Sequence, residues 1–512
     1  MFFVFMFGWA LCRFSVRDGC YRLPGSRGSL TDPGLVLPRR QRGKDIDTAM
    51  NHQQHTHEPE TDRPDGHRSR SRWWAAGLAG VAGLTLTAVG VAAAPAAGSA
   101  GGANTSVETQ PGDGHRDKGQ PSYEEKSKDD KERGRKGQGK TEKLKGTPVP
   151  CAADALIAAI TLGNARGGAV LDLAKDCTYL LTADIDGAGL PAITSPITLN
   201  GGKNTVIERA AAVEQFRILT VNTGGDLTLN HLKVTGGQTA EEGGGILVNA
   251  GGALTTNHSI ITRNMSGDGG GIANLGVTRV NHSKVDRNTS SEQGGGIRST
   301  GLLEIVKSQI DNNIADSGGG IFQASSTVTV KGGSISGNQT SDGGGFYLVD
   351  GSGTLIGTRV AKNTASGNGG GAVVAEAGQL TLQKVGLLDN SALSGVAGGL
   401  FVDAEVGSTY AVIEDSLIKN NTAADLGGGI DTSGVTVLRR TQVIGNQADQ
   451  GGGIYNTGTL SLFTTKVVKN IAITLGGGIF NNAGTVELNT ATGTVVVKNR
   501  PNNCVDVPGC AG

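Results

Sequence analysis

Three histidines are the first candidates for chemistry in this chain. His231, His258 and His282 each follow an asparagine (Asn230, Asn257, Asn281) and fall at spacings of 27 and 24 residues. In a fold whose repeat has that length they would stand one above another. Two or three neutral imidazoles so placed could hold a transition metal, and the column would respond to pH. No carboxylate is spaced to orient a metal-bound ring, so a solvent-exposed stack at a strand corner is the plainer reading.

Two further rows carry functional groups. Glu242, Asp268, Glu292, Asp316, Asp342, Asp425 and Asp449 stand just before a run of glycines. Like charges one repeat apart repel, so such a row needs divalent cations, calcium above all, or neighbouring bases. Arg263, Arg287, Lys362 and Lys469 recur just before a repeated asparagine, which favours a salt-bridged, solvated edge. The Gly-Gly-x-Gly-x-Asp calcium repeat is absent from the sequence, and no cofactor is required.

Phe322, Tyr347, Phe401, Tyr455 and Phe480 each follow an apolar residue of the repeat. If that residue points inward, strict alternation turns the rings outward, where they would form a platform for sugars or a partner protein. A register one residue off, or rings that cover a lateral loop, is the competing reading.

Catalysis has less support. A glycoside hydrolase needs two close carboxylates, and a polysaccharide lyase needs an acidic calcium site with a basic proton acceptor. The chain has no Asn-x-Asp, Asp-Asp, Gly-His-Gly, Arg-x-Lys series. The expectation is a non-catalytic binding or adhesin-like module for a polysaccharide or a cell-surface protein. A polysaccharide lyase or glycoside hydrolase is the alternative, and a structural spacer is a third.

The elements that position these rows come from a repeat. Of 512 residues, 84 are Gly and only 20 are aromatic (11 Phe, 6 Tyr, 3 Trp), and the glycines lack the every-third-residue period of collagen. A Gly-Gly-Gly-hydrophobic unit places its apolar residue at Ile246, Ile272, Ile297, Ile321, Phe346, Ala372, Ile430, Ile454 and Ile479, with the variant Ala397-Gly398-Gly399-Leu400. A hydrophobic-x-x-Asn unit recurs beside it at Asn264, Asn288, Asn313, Asn338, Asn363, Asn390, Asn421, Asn446, Asn470 and Asn499.

Between them lie short strands such as 454–456, 460–462 and 466–468, with no helical segment. Three short strands per unit of about 25 residues describe one coil of a parallel β-helix. The expected fold is all-β, a single-stranded right-handed parallel β-helix (β-solenoid) of about 12 coils, with coils stacked at ~4.8 Å. The asparagines would stack as a structural ladder, and the three glycines would take positive φ and pack a sharp corner where a Cβ would collide with the coil above.

Solenoid ends must be covered. Residues 152–162 read as a short N-terminal capping helix. Beyond Cys12 and Cys20 the four cysteines fall as two terminal pairs, so Cys151 with Cys177 and Cys504 with Cys510 are the expected disulfides. No zinc spacing is present in the sequence.

Four segments follow. Residues 1–49 read as a doubtful leader with Met50 as the better start. Residues 50–97 read as a signal peptide or signal anchor, with a basic region, an apolar run and an Ala-x-Ala site. Residues 75–94 would touch a membrane only if that signal is not cleaved. Residues 98–147 form a charged linker too poor in apolar side chains to fold, and residues 148–512 the β-helix. The 46 basic and 46 acidic side chains leave no net charge, so no nucleic-acid partner is expected. The chain reads as secreted or associated with the cell envelope.

The Gly-Gly-x-Ile and hydrophobic-x-x-Asn pair resembles the repeats of polymorphic outer-membrane proteins and of secreted right-handed β-helix proteins of bacteria. Residues 155–209, with Tyr179-Leu180-Leu181-Thr182 and Ile197-Thr198-Leu199-Asn200-Gly201, are similar to the opening coils of the latter. The resemblance spans about residues 150–500 and implies the fold and a surface or adhesin-like role. No β-barrel follows Cys510, so export by an autotransporter route is not expected.

Overall fold

The computed structural model describes residues 146–511 except Gly407. The expectations for the leader, the signal, the run 75–94 and nearly all of the linker lie outside the described residues. Within them the chain is an all-β parallel β-helix. Three sheets of 14, 13 and 12 strands run along it, and their strands pair in parallel in successive coils, as Leu302–Val306 does with Val277–Asn281.

One coil shows why the sequence folds this way. Ile297–Ser299 lies in the third sheet, Leu302–Val306 in the first and Gln309–Asp311 in the second. Alternation points Leu303, Ile305 and Ile310 inward, where each is fully buried. Burying such a side chain stabilises by about 1.5–3 kcal/mol, and the core continues from coil to coil. A fourth face of mostly two-residue strands, such as Thr364–Ala365, follows the repeated asparagine. It was not expected from the sequence.

The rod has about 14 coils, two more than the twelve expected. Thr147–Val149, Ala169–Leu173, Pro196–Asn200 and Asp226–Asn230 precede the first sheet's Ala253–Asn257. These early coils turn without the triplet and largely without the asparagine, so they carry no repeat signature. The helix α1 (Ala153–Ala165) is the expected cap, and it buries Leu156 and Ile160 in the core with Val149, Leu171 and Ile197. Both expected disulfides form, Cys151 to Cys177 beside α1 and Cys504 to Cys510 at the other end.

The asparagine column is a continuous ladder. Each Nδ2 donates to Oδ1 of the asparagine one coil on, from Asn264 through Asn499, at 2.9–3.1 Å. Gly237 N–H donates to Asn264 Oδ1 at one end, and Asn503 Oδ1 accepts from Asn499 at the other.

The triplet glycines answer three constraints. Gly318 has φ +62 and lies beneath the Phe322 Cβ. Gly319 and Gly320 have no positive φ. A Cβ on Gly319 would meet the Gly344 carbonyl at 2.7 Å, and one on Gly320 would meet Asn338 Nδ2 at 2.9 Å. Positive φ therefore belongs to the first glycine only, which corrects that part of the expectation, while the expected collision of a Cβ with the next coil holds at the other two. Close approach of the next coil explains the other two.

Candidate functional site

The corner between the first and second sheets holds the histidines. In each coil one left-handed residue makes the turn: His231 (φ 55), His258 (φ 50), His282 (φ 47) and Lys307 (φ 46). The residue after it anchors the corner. Ser259 N–H donates to Ser283 Oγ at 3.1 Å, and Ser283 N–H to Ser308 Oγ at 3.0 Å. The residues before it form a second, shorter asparagine ladder: Asn281 donates to Asn257, Asn257 to Asn230 and Asn230 to Asn200. Backbone and neighbours are thus fixed on both sides, and the left-handed side chain projects into solvent.

The imidazoles stack as expected, with centroids 4.8 and 5.1 Å apart and planes within 15° and 11°. Nearly parallel rings keep their nitrogen lone pairs in parallel planes rather than aimed at one point. Among the described residues no group of three His, Cys, Asp or Glu side chains could hold a metal ion. His231, His258 and His282 thus form the solvent-exposed stack that was the plainer reading, and no three-ligand group among the described residues supports the transition-metal one.

That stack walls an open groove. A cleft of about 680 Å³ is lined by Lys175, Gly202, Lys203, His231, Lys233 and His258, among others. A second of about 240 Å³ shares His258 and adds His282, Lys284 and Lys307. The sequence reading found the histidines but missed the lysines, because they come from loops and corners with different offsets in the repeat.

The acidic residues do not form one column. Glu242 pairs with Asp268, and Gln293 with Ser317 and then Asp342, as successive positions. Glu292, Asp316, Asp425 and Asp449 stand one residue earlier, since Leu426 and Gln450 are the paired positions there. Their carboxylates serve the backbone and neighbours: Asp268 Oδ1 accepts from Gln293 N–H at 3.1 Å, Asp342 Oδ1 from Asn368 N–H at 2.7 Å and Asp316 Oδ1 from Ser341 Oγ at 2.7 Å.

Glu242 pairs with Arg298 at 2.8 Å. Arg263, Arg287, Lys362 and Lys469 turn the corner before the ladder with φ of 54 to 57; none of them pairs with the row, and Arg287 pairs with Asp286. The expected partners of the edge are thus replaced. With no grouped ligands among the described residues, the calcium reading of this row has no geometric support.

The aromatic row is in register but covered. Phe322 pairs with Tyr347, then come Val373, Phe401, Asp431, Tyr455 and Phe480. Phe322–Tyr347 and Tyr455–Phe480 stack with centroids 5.4 and 5.3 Å apart. Phe322 and Tyr455 are only 6% and 7% exposed, and Tyr347, Phe401 and Phe480 are half-buried. The rings lie over the first glycines of the triplets, as Phe480 does over Gly476. The open platform expected of this row is corrected to rings packed on the adjoining turn.

Asp431 interrupts that row between Phe401 and Tyr455 and was not singled out in the sequence, although it stands where the repeat otherwise favours a ring. It is 6% exposed. Burial pushes its carboxyl up to about 7, with the charges of Asp425 and Asp403 adding to the effect. Burial likewise raises Tyr347, helped by Asp342, Asp403 and Glu376, and raises Asp342 against the Asn368 N–H bond that lowers it.

Compared with protein families, with curated proteins and with solved structures, the chain matches none.

Proposed function

We propose that the protein is an exported, non-catalytic binding module, a rigid rod that takes a polysaccharide or a cell-surface protein on its lateral face. The observation that carries this reading is the corner groove. It is open, about 680 Å³ in volume, and walled by side chains that the ladders leave free to meet a ligand. A rigid site loses little entropy on binding, which favours affinity without moving parts. Retention of the full chain on immobilised polysaccharides and cell walls, with and without calcium, is the test. Retention on at least one of them supports the reading, and passage through all of them overturns it.

A polysaccharide-active enzyme is the second reading, and Asp431 favours it. A carboxyl group that burial pushes up to about 7, between two rings and near Asp425 and Asp403, has the character of a general acid. Cleavage of a retained polymer that is lost in Asp431→Asn would establish it.

A further inference from the structure

The charge of the corner groove is one-sided although the chain has none overall. Among the described residues Lys175, Lys203, Lys233 and Lys307 have no ion-pair partner. No Asp or Glu among the described residues lines either cleft, and the nearby acids have partners of their own. Asp286 holds Lys284 at 3.5 Å and Arg287 at 2.8 Å, and Asp176 accepts from Asn204 Nδ2 at 2.8 Å.

These cations are set out by the coil repeat. Lys233, Ile260, Lys284 and Gln309 pair successively across the second sheet, so Lys233 and Lys284 stand two coils apart. The corner row beside them runs His231, His258, His282 and Lys307, with ring spacings of 4.8 and 5.1 Å. Lys175 and Lys203 extend the groove toward the first coils, and the Lys175 stem lies across Gly202, where no side chain intervenes.

We propose that this groove binds a linear anionic polysaccharide lying parallel to the rod axis, with its carboxylate or sulfate groups meeting successive coils. This rests on the binding-module reading and adds the ligand class. The coil spacing is close to the length of one pyranose along a linear chain, so charges on sugars one or two residues apart meet lysines one or two coils apart. Ammonium groups without acidic partners gain charge-assisted hydrogen bonds at little cost in broken contacts. Single-stranded nucleic acid is the lesser fit, because its binding relies on aromatic stacking and no Phe, Tyr or Trp lines either cleft.

The test compares polymers that share a backbone. The full chain is titrated with carboxymethylcellulose against hydroxyethylcellulose, with dextran sulfate against dextran, and with single-stranded DNA, at low and high salt. At least one charged polymer is expected to bind at least about tenfold more tightly than its neutral counterpart, the scale of one charge-assisted hydrogen bond, and to weaken as salt rises. Which of the two does so tells carboxylate from sulfate.

Lys233→Ala with Lys307→Ala is expected to weaken that binding by a similar factor without lowering the Tm, whereas Lys384→Ala with Lys419→Ala, exposed and outside both clefts, leaves it unchanged. Equal binding of the charged and neutral polymers, no effect of the groove variant, or a preference for DNA overturns the proposal. In the first case the binding module itself still stands, whereas binding of no polysaccharide at all removes both.

Discussion

Asn288 donates twice to one atom of its neighbour: its Nδ2 reaches Asn313 Oδ1 at 3.1 Å and its backbone N–H reaches the same oxygen at 3.0 Å. Asn313 Nδ2 in turn donates to the Val285 carbonyl at 3.0 Å and to Asn338 Oδ1 at 3.1 Å. Every donor and acceptor of the buried amide is thus used. Asn313→Ala leaves several buried groups without partners, each at about 1–3 kcal/mol, so a loss of at least about 3 kcal/mol is expected in urea unfolding. Asn204→Ala, at an exposed corner, is expected to cost far less. Equal losses would show that the ladder does not hold the coils together.

The glycine triplet separates two kinds of cost. Ala397 occupies the position of a first glycine with φ 59, so a Cβ is tolerated there. Gly318→Ala is expected to cost about 1–2 kcal/mol for the left-handed backbone, with a local contact against the Ile321 carbonyl of its own turn rather than against the next coil. Gly320→Ala places a Cβ against the Gly345 carbonyl and Asn338 Nδ2 and is expected to cost more, because the next coil must move. Thermal unfolding of the two variants gives the order, and the reverse order contradicts the assignment.

Asp431 makes stability depend on pH. Its folded pKa of about 7 lies above the unfolded value, so the native state holds the proton more tightly. Stability from this group is full below the unfolded pKa, near 4, and falls by up to about 1.4 kcal/mol per pH unit as pH rises toward 7. Asp431→Asn is expected to flatten that fall and to be the more stable form at pH 8. Parallel pH profiles of wild type and variant would contradict this.

Opening the Cys151–Cys177 bridge frees the capping helix. The Cys151→Ser, Cys177→Ser variant is expected to lose roughly 3 kcal/mol on the loop-entropy view, with proteolytic cutting first appearing near α1. Unchanged cutting there would mean that the packing of Leu156 and Ile160 holds the cap unaided.

Chelation is expected to leave the rod unchanged. The carboxylates of Asp268, Asp316 and Asp342 are engaged by protein donors, so neither excess EDTA nor millimolar calcium should move the Tm. A rise with calcium that chelator reverses would restore the calcium reading of the acidic row.

The architecture was legible because a β-helix writes its geometry into the chain once per coil. The triplet glycines and the ladder asparagines marked the same two corners ten times, and the inward register of Ile321 and its equivalents followed from alternation. The first coils were undercounted because they turn without either mark. The candidate site was less legible. The His231, His258 and His282 stack could be read from spacing, but Lys175, Lys203, Lys233 and Lys307 meet there only through different loops and corners. The burial of Phe322 and Tyr455 depends on the turn that precedes each ring, which alternation alone does not describe. Likewise, two offsets before the glycines looked like a single acidic row.

The most direct measurement follows the length of a polysaccharide that retains the full chain, before and after prolonged incubation. A binding module leaves the length and the count of reducing and unsaturated ends unchanged while the complex persists. Shortening of the polymer with new ends would contradict it and make Asp431 the first residue to replace.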